Sequence, residues 1–163
     1  MIFAKIRSQS MAFLIDKYLP RYTYNEYHTR IINASAKECF LAAKNLDLSK
    51  SLISKALLKL RGLPTKELHL QGFLKNMCFT YLEEDLYKEF VIDASQQRLK
   101  MIWNFYFKEI EANKTLVSTE TRILCLTKKS KFLFSIYWFF VKPFSGIIRI
   151  EMLRLIKRKA ESN

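Results

Sequence analysis

MIWNFYFKEIEA (Met101–Ala112), LVSTETRILCL (Leu116–Leu126) and KFLFSIYWFFVKPFSGIIRIEMLRLIKRK (Lys131–Lys159) follow one another with only short breaks. Side chains alternate along a strand, so Met101, Trp103, Phe105 and Phe107 share one face of the first run while Asn104, Tyr106 and Lys108 share the other. In the second run Val117, Thr119, Thr121 and Ile123 oppose Ser118, Glu120 and Arg122. Ala112-Asn113-Lys114 supplies the turn between them. The third run, helical from Ser130, is too apolar to lie on a surface. An α+β domain, with a curved antiparallel β-sheet wrapped around a long C-terminal α-helix, buries all three economically. Such folds often leave a cavity between sheet and helix. Pro143 and Gly146 predict a kink in the helix or its division in two.

The preceding residues extend this plan. Cys78–Glu83 and Lys88–Ala94 read as two shorter strands joined by Glu84-Asp85-Leu86, and Ser95–Leu99 reads as a polar connector. Leu48, Leu52, Ile53, Ala56, Leu57 and Leu60 recur at helical spacing, with Asp47 or Ser49 as cap and Gly62 and Pro64 as the stop. That stripe is expected to face the core. Thr65 is expected to cap a third helical piece reaching about Met77. Ser35 followed by Glu38 is a capping box opening a helix to about Asn45. Glu26–Ile32 has a β-type pattern, and Met11–Leu19 a short helical one stopped by Pro20. Residues 1–21 are therefore expected to form an N-terminal arm with a short helix, and 22–161 a single domain.

A chain of 163 residues, half of them hydrophobic, can bury one real core. With 3 Gly and 3 Pro, long flexible linkers are not expected. The formal charge of +13, from 28 Lys+Arg against 15 Asp+Glu, favours anionic partners or simply solubility. Lys50, Lys55, Lys59, Arg61 and Lys66 lie in a stretch, 48–66, without an acid. Cys39, Cys78 and Cys125 are odd in number and widely spaced, which argues against a disulfide framework or a zinc site and for small buried thiols. Charged and polar residues interrupt the N-terminal apolar pattern, so it does not read as a signal peptide. Phe132–Val141 is an apolar run of ten residues, short of the roughly 20 that a membrane span needs, and a buried helix is expected instead.

The order strand, two helices, antiparallel strands, long helix resembles the helix-grip fold. In YHTRIINASAKECF (Tyr27–Phe40), STETRILC (Ser118–Cys125) and FSIYWFFVKPFSGIIRIEMLRLIKR (Phe134–Arg158), the chain resembles the SRPBCC superfamily, and within it a bacterial branch. That superfamily includes START-like lipid-transfer domains, pollen-allergen-like proteins and polyketide cyclases. The resemblance covers roughly residues 22–161. Two departures stand beside it. The branch prefers glycine where this chain has Cys78 before Phe79, and a second glycine where Asp93-Ala94 stand.

Together these readings imply binding of a small hydrophobic or amphipathic ligand, such as a lipid, for transport or sensing. Trp103, Phe105, Thr119, Thr121 and Trp138 are expected to form the cavity wall. Glu120 or Arg122 would either orient a polar end or pair structurally. Catalytic motifs and metal-ligand spacings are not recognised, and no cofactor is expected. His28 and His69 read as hydrogen-bonding residues outside any triad. The helix carrying Lys55 and Lys59, followed by Arg61, suggests peripheral contact with an acidic membrane. Nucleic acid is not expected as a partner, because the aromatics cluster in apolar runs apart from the basic residues. A cytoplasmic location, peripheral at the membrane if that contact forms, fits these readings. The alternatives are a cyclase- or hydrolase-like enzyme using the same cavity and a basic adaptor for a membrane, nucleic acid or an acidic protein.

Overall fold

The computed structural model describes residues 13–162 apart from Arg61, Pro64 and Gln97. Strands β1 (Tyr24–Ile32), β2 (Thr80–Asp85), β3 (Glu89–Asp93), β4 (Leu99–Glu111) and β5 (Lys114–Cys125) form one antiparallel, curved sheet in the order β1-β5-β4-β3-β2. Helices α1 (Leu14–Tyr18), α2 (Ala36–Lys44), α3 (Leu52–Leu60), α4 (Leu70–Asn76) and α5 (Lys128–Ala160) complete the domain. With α5 packed across the sheet and α2, α3 and α4 beside it, the arrangement is the expected α+β helix-grip: a curved antiparallel sheet around a long C-terminal helix.

The β4–β5 register sets the site. Trp103 pairs with Thr121 and Phe105 with Thr119, and all four belong to the inner face. Phe40, Phe90, Phe105 and Phe107 join them in an aromatic core, with ring centroids 5.1–6.1 Å apart between Phe90 and its three neighbours. From α5, Ile148, Met152, Leu153, Ile156 and Ala160 pack onto the same core. Only the C-terminal half of this helix is therefore well buried. It runs as a single helix through Pro143 and Gly146, so the expected division in two does not occur. Its N-terminus lies earlier than Ser130, because Thr127 is the cap and Ser130 closes the capping box.

The local stops follow backbone chemistry. Gly62, at φ +66°, takes the left-handed position after α3, with the Gly62 and Leu63 amides donating to the Lys59 and Leu58 carbonyls. Cys78, at φ +56°, does the same after α4, where the Cys78 and Phe79 amides donate to the Lys75 and Leu74 carbonyls. A residue with a Cβ is strained in that region, where glycine would be at ease. Cys78 is consequently an exposed helix stop, in contrast to the buried strand thiol expected, and Cys125 is half-buried. Cys39 is buried as expected, and burial pushes its thiol up to about 11. The piece expected to start at Thr65 becomes helical only at Leu70, because Leu68–Leu70 bridge to Leu46–Leu48 instead.

The outer face of the sheet is also covered, which a single-sided sheet would not be. Ile15 and Leu19 from the α1 region pack against Val91 and Ile102. Glu89 accepts the Leu14 and Ile15 amides at 2.7 and 3.2 Å, and Asn104 donates to the same carboxylate at 2.6 Å. The short helix Leu14–Tyr18 is thus docked on the sheet. Residues 1–12 lie outside the described residues.

Candidate functional site

A cavity of about 560 Å³ lies between the inner face of β4 and β5, the α3–α4 region and α5. Its wall is mainly apolar, with Leu58, Phe73, Met101, Ile123, Phe134 and Ile148 among the contributors. Both tryptophans of the chain, Trp103 and Trp138, belong to it. Half-exposed Leu133 and Tyr137 from α5 line it too. Ala94 adds its methyl group to the wall.

Two cations, Arg98 and Arg149, stand in this apolar wall, and Arg149 is the one stacked on an aromatic ring. The Arg149 guanidinium lies 3.8 Å above the Trp103 ring and donates to Thr121 Oγ1 at 2.9 Å. A stacked, planar guanidinium is held in one orientation and keeps its charge at every physiological pH. Thr119 acts behind this layer: its hydroxyl accepts the Trp103 indole N–H at 2.7 Å and donates to the Asn104 carbonyl at 2.8 Å. The sequence reading did not single out Arg149. Its helical spacing from Trp138, Ser145 and Met152, all in the wall, is the signal that could have found it.

The expected site residues therefore divide. Trp103, Thr121 and Trp138 line the cavity. Phe105 and Thr119 are fully buried in the layer beneath and do not line it. Glu120 and Arg122 lie on the outer face and do not meet a ligand in the cavity; they pair structurally, the other alternative weighed from sequence, and do so buried. Arg122 donates from Nε to Glu120 at 3.0 Å and from an Nη to the Leu19 carbonyl at 2.9 Å, and pairs with Asp16 at 2.6 Å. The physical reason is the period of two: a strand that turns Thr119 and Thr121 inward turns Glu120 and Arg122 outward.

Lys55 and Lys59 are exposed on α3, as expected, while Arg61 lies outside the described residues. The apolar stripe of α3 departs from expectation. Leu52 is 82% and Leu60 72% exposed, and it is Ser54 and Leu58 that face inward. The spacing identified a stripe correctly but assigned it to the wrong surroundings.

At the edge of the cavity, α5 crosses β1 closely at Gly146, where a Cβ would meet a Glu26 carboxylate oxygen at 3.3 Å. Glu26 pairs with His28 Nε2 at 2.9 Å and accepts the Ser145 hydroxyl at 2.9 Å. No motif marks this acid in the sequence, although Glu26 and His28, two apart on β1, share a strand face. Glu26 sits between serine and histidine, so no route carries a serine proton to the imidazole, and the three do not form a nucleophile–base relay. No group of three or more potential metal ligands occurs among the described residues.

Burial raises the Glu26 pKa, but hydrogen bonds from His28 and Ser145 and the nearby Arg149 charge outweigh it, leaving a net value below the ordinary 4.5. Its contribution to stability is complete above the unfolded-state value and is lost as pH falls through the lower folded-state value. Urea unfolding between neutral pH and pH below about 4.5 is therefore expected to show a smaller acid-induced loss for Glu26→Gln than for the parent protein. Equal losses would remove Glu26 from the acid response.

No protein-family model matches the chain, and no curated protein matches it. Among solved structures it is similar to a START superfamily protein from Mycobacterium smegmatis, at 10% identity over 86% of this chain and 99% of that one, with a TM-score of 0.48. It is also similar to the di-domain ARO/CYC BexL, at 9% identity over 85% of this chain and 47% of that one, with a TM-score of 0.46. The Zhui aromatase/cyclase from a Streptomyces species is 12% identical over 85% of this chain and 93% of that one, with a TM-score of 0.37. At these identities no substrate or activity carries over.

Proposed function

We propose that the protein binds a small amphipathic molecule, apolar along its body and anionic at one end, in the cavity between sheet and α5, and so serves in its transport or sensing. The carrying observation is Arg149, oriented by Trp103 and Thr121 within a largely apolar space of about 560 Å³. That volume falls in the range of roughly 300–1,000 Å³ usual for small-molecule sites. Affinity would come from apolar burial, on the order of 25 cal/mol per Å² before ordering costs. Arg149 would add a charge-assisted hydrogen bond to a carboxylate or phosphate oxygen. Binding is favoured over catalysis because the described wall carries hydroxyls and cations rather than a carboxylate or imidazole.

Native mass spectrometry of freshly purified protein, followed by denaturation and identification of released molecules, tests this reading. The expected result is a discrete acidic amphiphile lost on unfolding. An unliganded mass, together with no saturable fluorescence change on adding anilinonaphthalene sulfonate, would overturn it.

A further inference from the structure

The N-terminal half of α5 presents a surface that no part of the described domain covers. At 3.6 residues per turn, Phe132, Ile136, Phe139, Phe140 and Ile147 fall on one broad face. Phe132 is 66%, Phe139 77% and Phe140 65% exposed. On the opposite side of the same helix, Phe134, Trp138 and Ile148 line the cavity. No acidic residue occurs from Lys128 to Ile150, while Lys128, Lys129, Lys131 and Lys142 are all exposed beside the aromatic face. A contiguous apolar patch of this kind marks an interaction surface.

We infer that this face docks peripherally onto an anionic lipid bilayer, with the phenylalanines entering the acyl boundary and the lysines meeting the headgroups. Charge complementarity selects this partner: an apolar face flanked by four lysines on a chain of formal charge +13 matches a negatively charged interface. An acidic protein surface would satisfy the lysines without providing a fluid apolar phase for three adjacent exposed phenylalanines.

The geometry also separates docking from spanning. α5 is long and apolar enough to cross a membrane by length and composition. Its C-terminal half, however, is fixed in the protein core through Met152, Leu153, Ile156 and Ala160. The uninterrupted apolar run Phe132–Val141 has ten residues, about 15 Å as a helix, against a hydrocarbon core of about 30 Å. Such a segment can lie in one interface but cannot reach the other. Docking would bring Leu133 and Tyr137, which belong to both the exposed helix and the cavity wall, next to the lipid phase. A ligand drawn from the bilayer would then have a short path inward.

The test is vesicle co-sedimentation of the full chain with phosphatidylcholine, with and without added phosphatidylglycerol, at low and high salt. The triple variant Phe132→Ser/Phe139→Ser/Phe140→Ser is compared in parallel. None of these three residues lines the cavity, so its circular dichroism and any adduct it retains in native mass spectrometry are expected to match the parent's. The expected result is association with anionic vesicles that weakens with salt and falls at least about tenfold in the variant. Absence of association at low salt, or equal association of the variant, would overturn the inference. So would a dimer by light scattering that the substitutions dissociate without any vesicle binding, since the face would then be a self-interface. Resistance of membrane-bound protein to alkaline carbonate extraction would overturn it in favour of a spanning helix.

Discussion

Replacing Arg122 with methionine is expected to lower the free energy of unfolding by roughly 3–5 kcal/mol, the usual cost of removing one partner from a buried ion pair. Arg122 is 1% exposed and joins two layers of the molecule. Its guanidinium faces Glu120 on its own strand, the Leu19 carbonyl and Asp16 from the α1 region, and the Tyr22 ring at 5.0 Å. Methionine fills much of the same volume, so the cost comes from electrostatics rather than from a cavity. With the guanidinium gone, the Glu120 carboxylate stays at a nearly dry position and α1 loses its link to β5. Domains of this size are stable by about 5–15 kcal/mol, so the change should be large in urea unfolding. Combining it with Glu120→Gln should recover a substantial part, because the carboxylate that faced the lost guanidinium is then neutral. A loss below about 1 kcal/mol for the single variant would mean that the pair behaves as an exposed one. Faster amide exchange in Leu14–Tyr18 would locate the effect where the hydrogen bonds place it.

The contrast between Arg122 and Arg149 shows what could and could not be read in the chain. The sheet and its gripped helix were legible because Met101–Phe107 and Val117–Ile123 carry an uninterrupted period of two and α5 is long and apolar. The capping box at Ser35 and Glu38 was legible for a similar reason, since both halves of the motif are local. Site assignment needed a further step. Once Thr121 is placed inward, the same alternation puts Glu120 and Arg122 outward, so that correction was available in STETR itself. Arg149 was harder, because nothing local separates an arginine facing a cavity from one in a solvated tail. Only its helical phase relative to Trp138 and Ser145 does so. The exposed stripes of α3 and α5 were not legible at all as exposed. Spacing reports that apolar residues share a face, and the tertiary packing decides which face is covered.

Arg149→Met is expected to reduce affinity for an anionic amphiphile by about ten- to a hundredfold, the equivalent of one charge-assisted hydrogen bond worth roughly 1.5–3 kcal/mol. A neutral analogue of the same apolar length should change by less than about threefold, because the greasy wall is retained and methionine adds apolar surface. This difference in selectivity separates a direct role in binding from general damage to the fold, which would weaken both ligands together. Arg149→Lys should fall between the two. It keeps the charge but loses the planar stack on Trp103 and the fixed fork that presents two donors in one plane. The readout is built into the site: both tryptophans of the chain line the cavity, so intrinsic fluorescence titrates with occupancy and needs no label. Equal loss for anionic and neutral ligands would leave Arg149 as a packing residue. An unchanged affinity for both would remove the anionic end from the ligand, leaving a purely apolar occupant as the reading that the cavity supports.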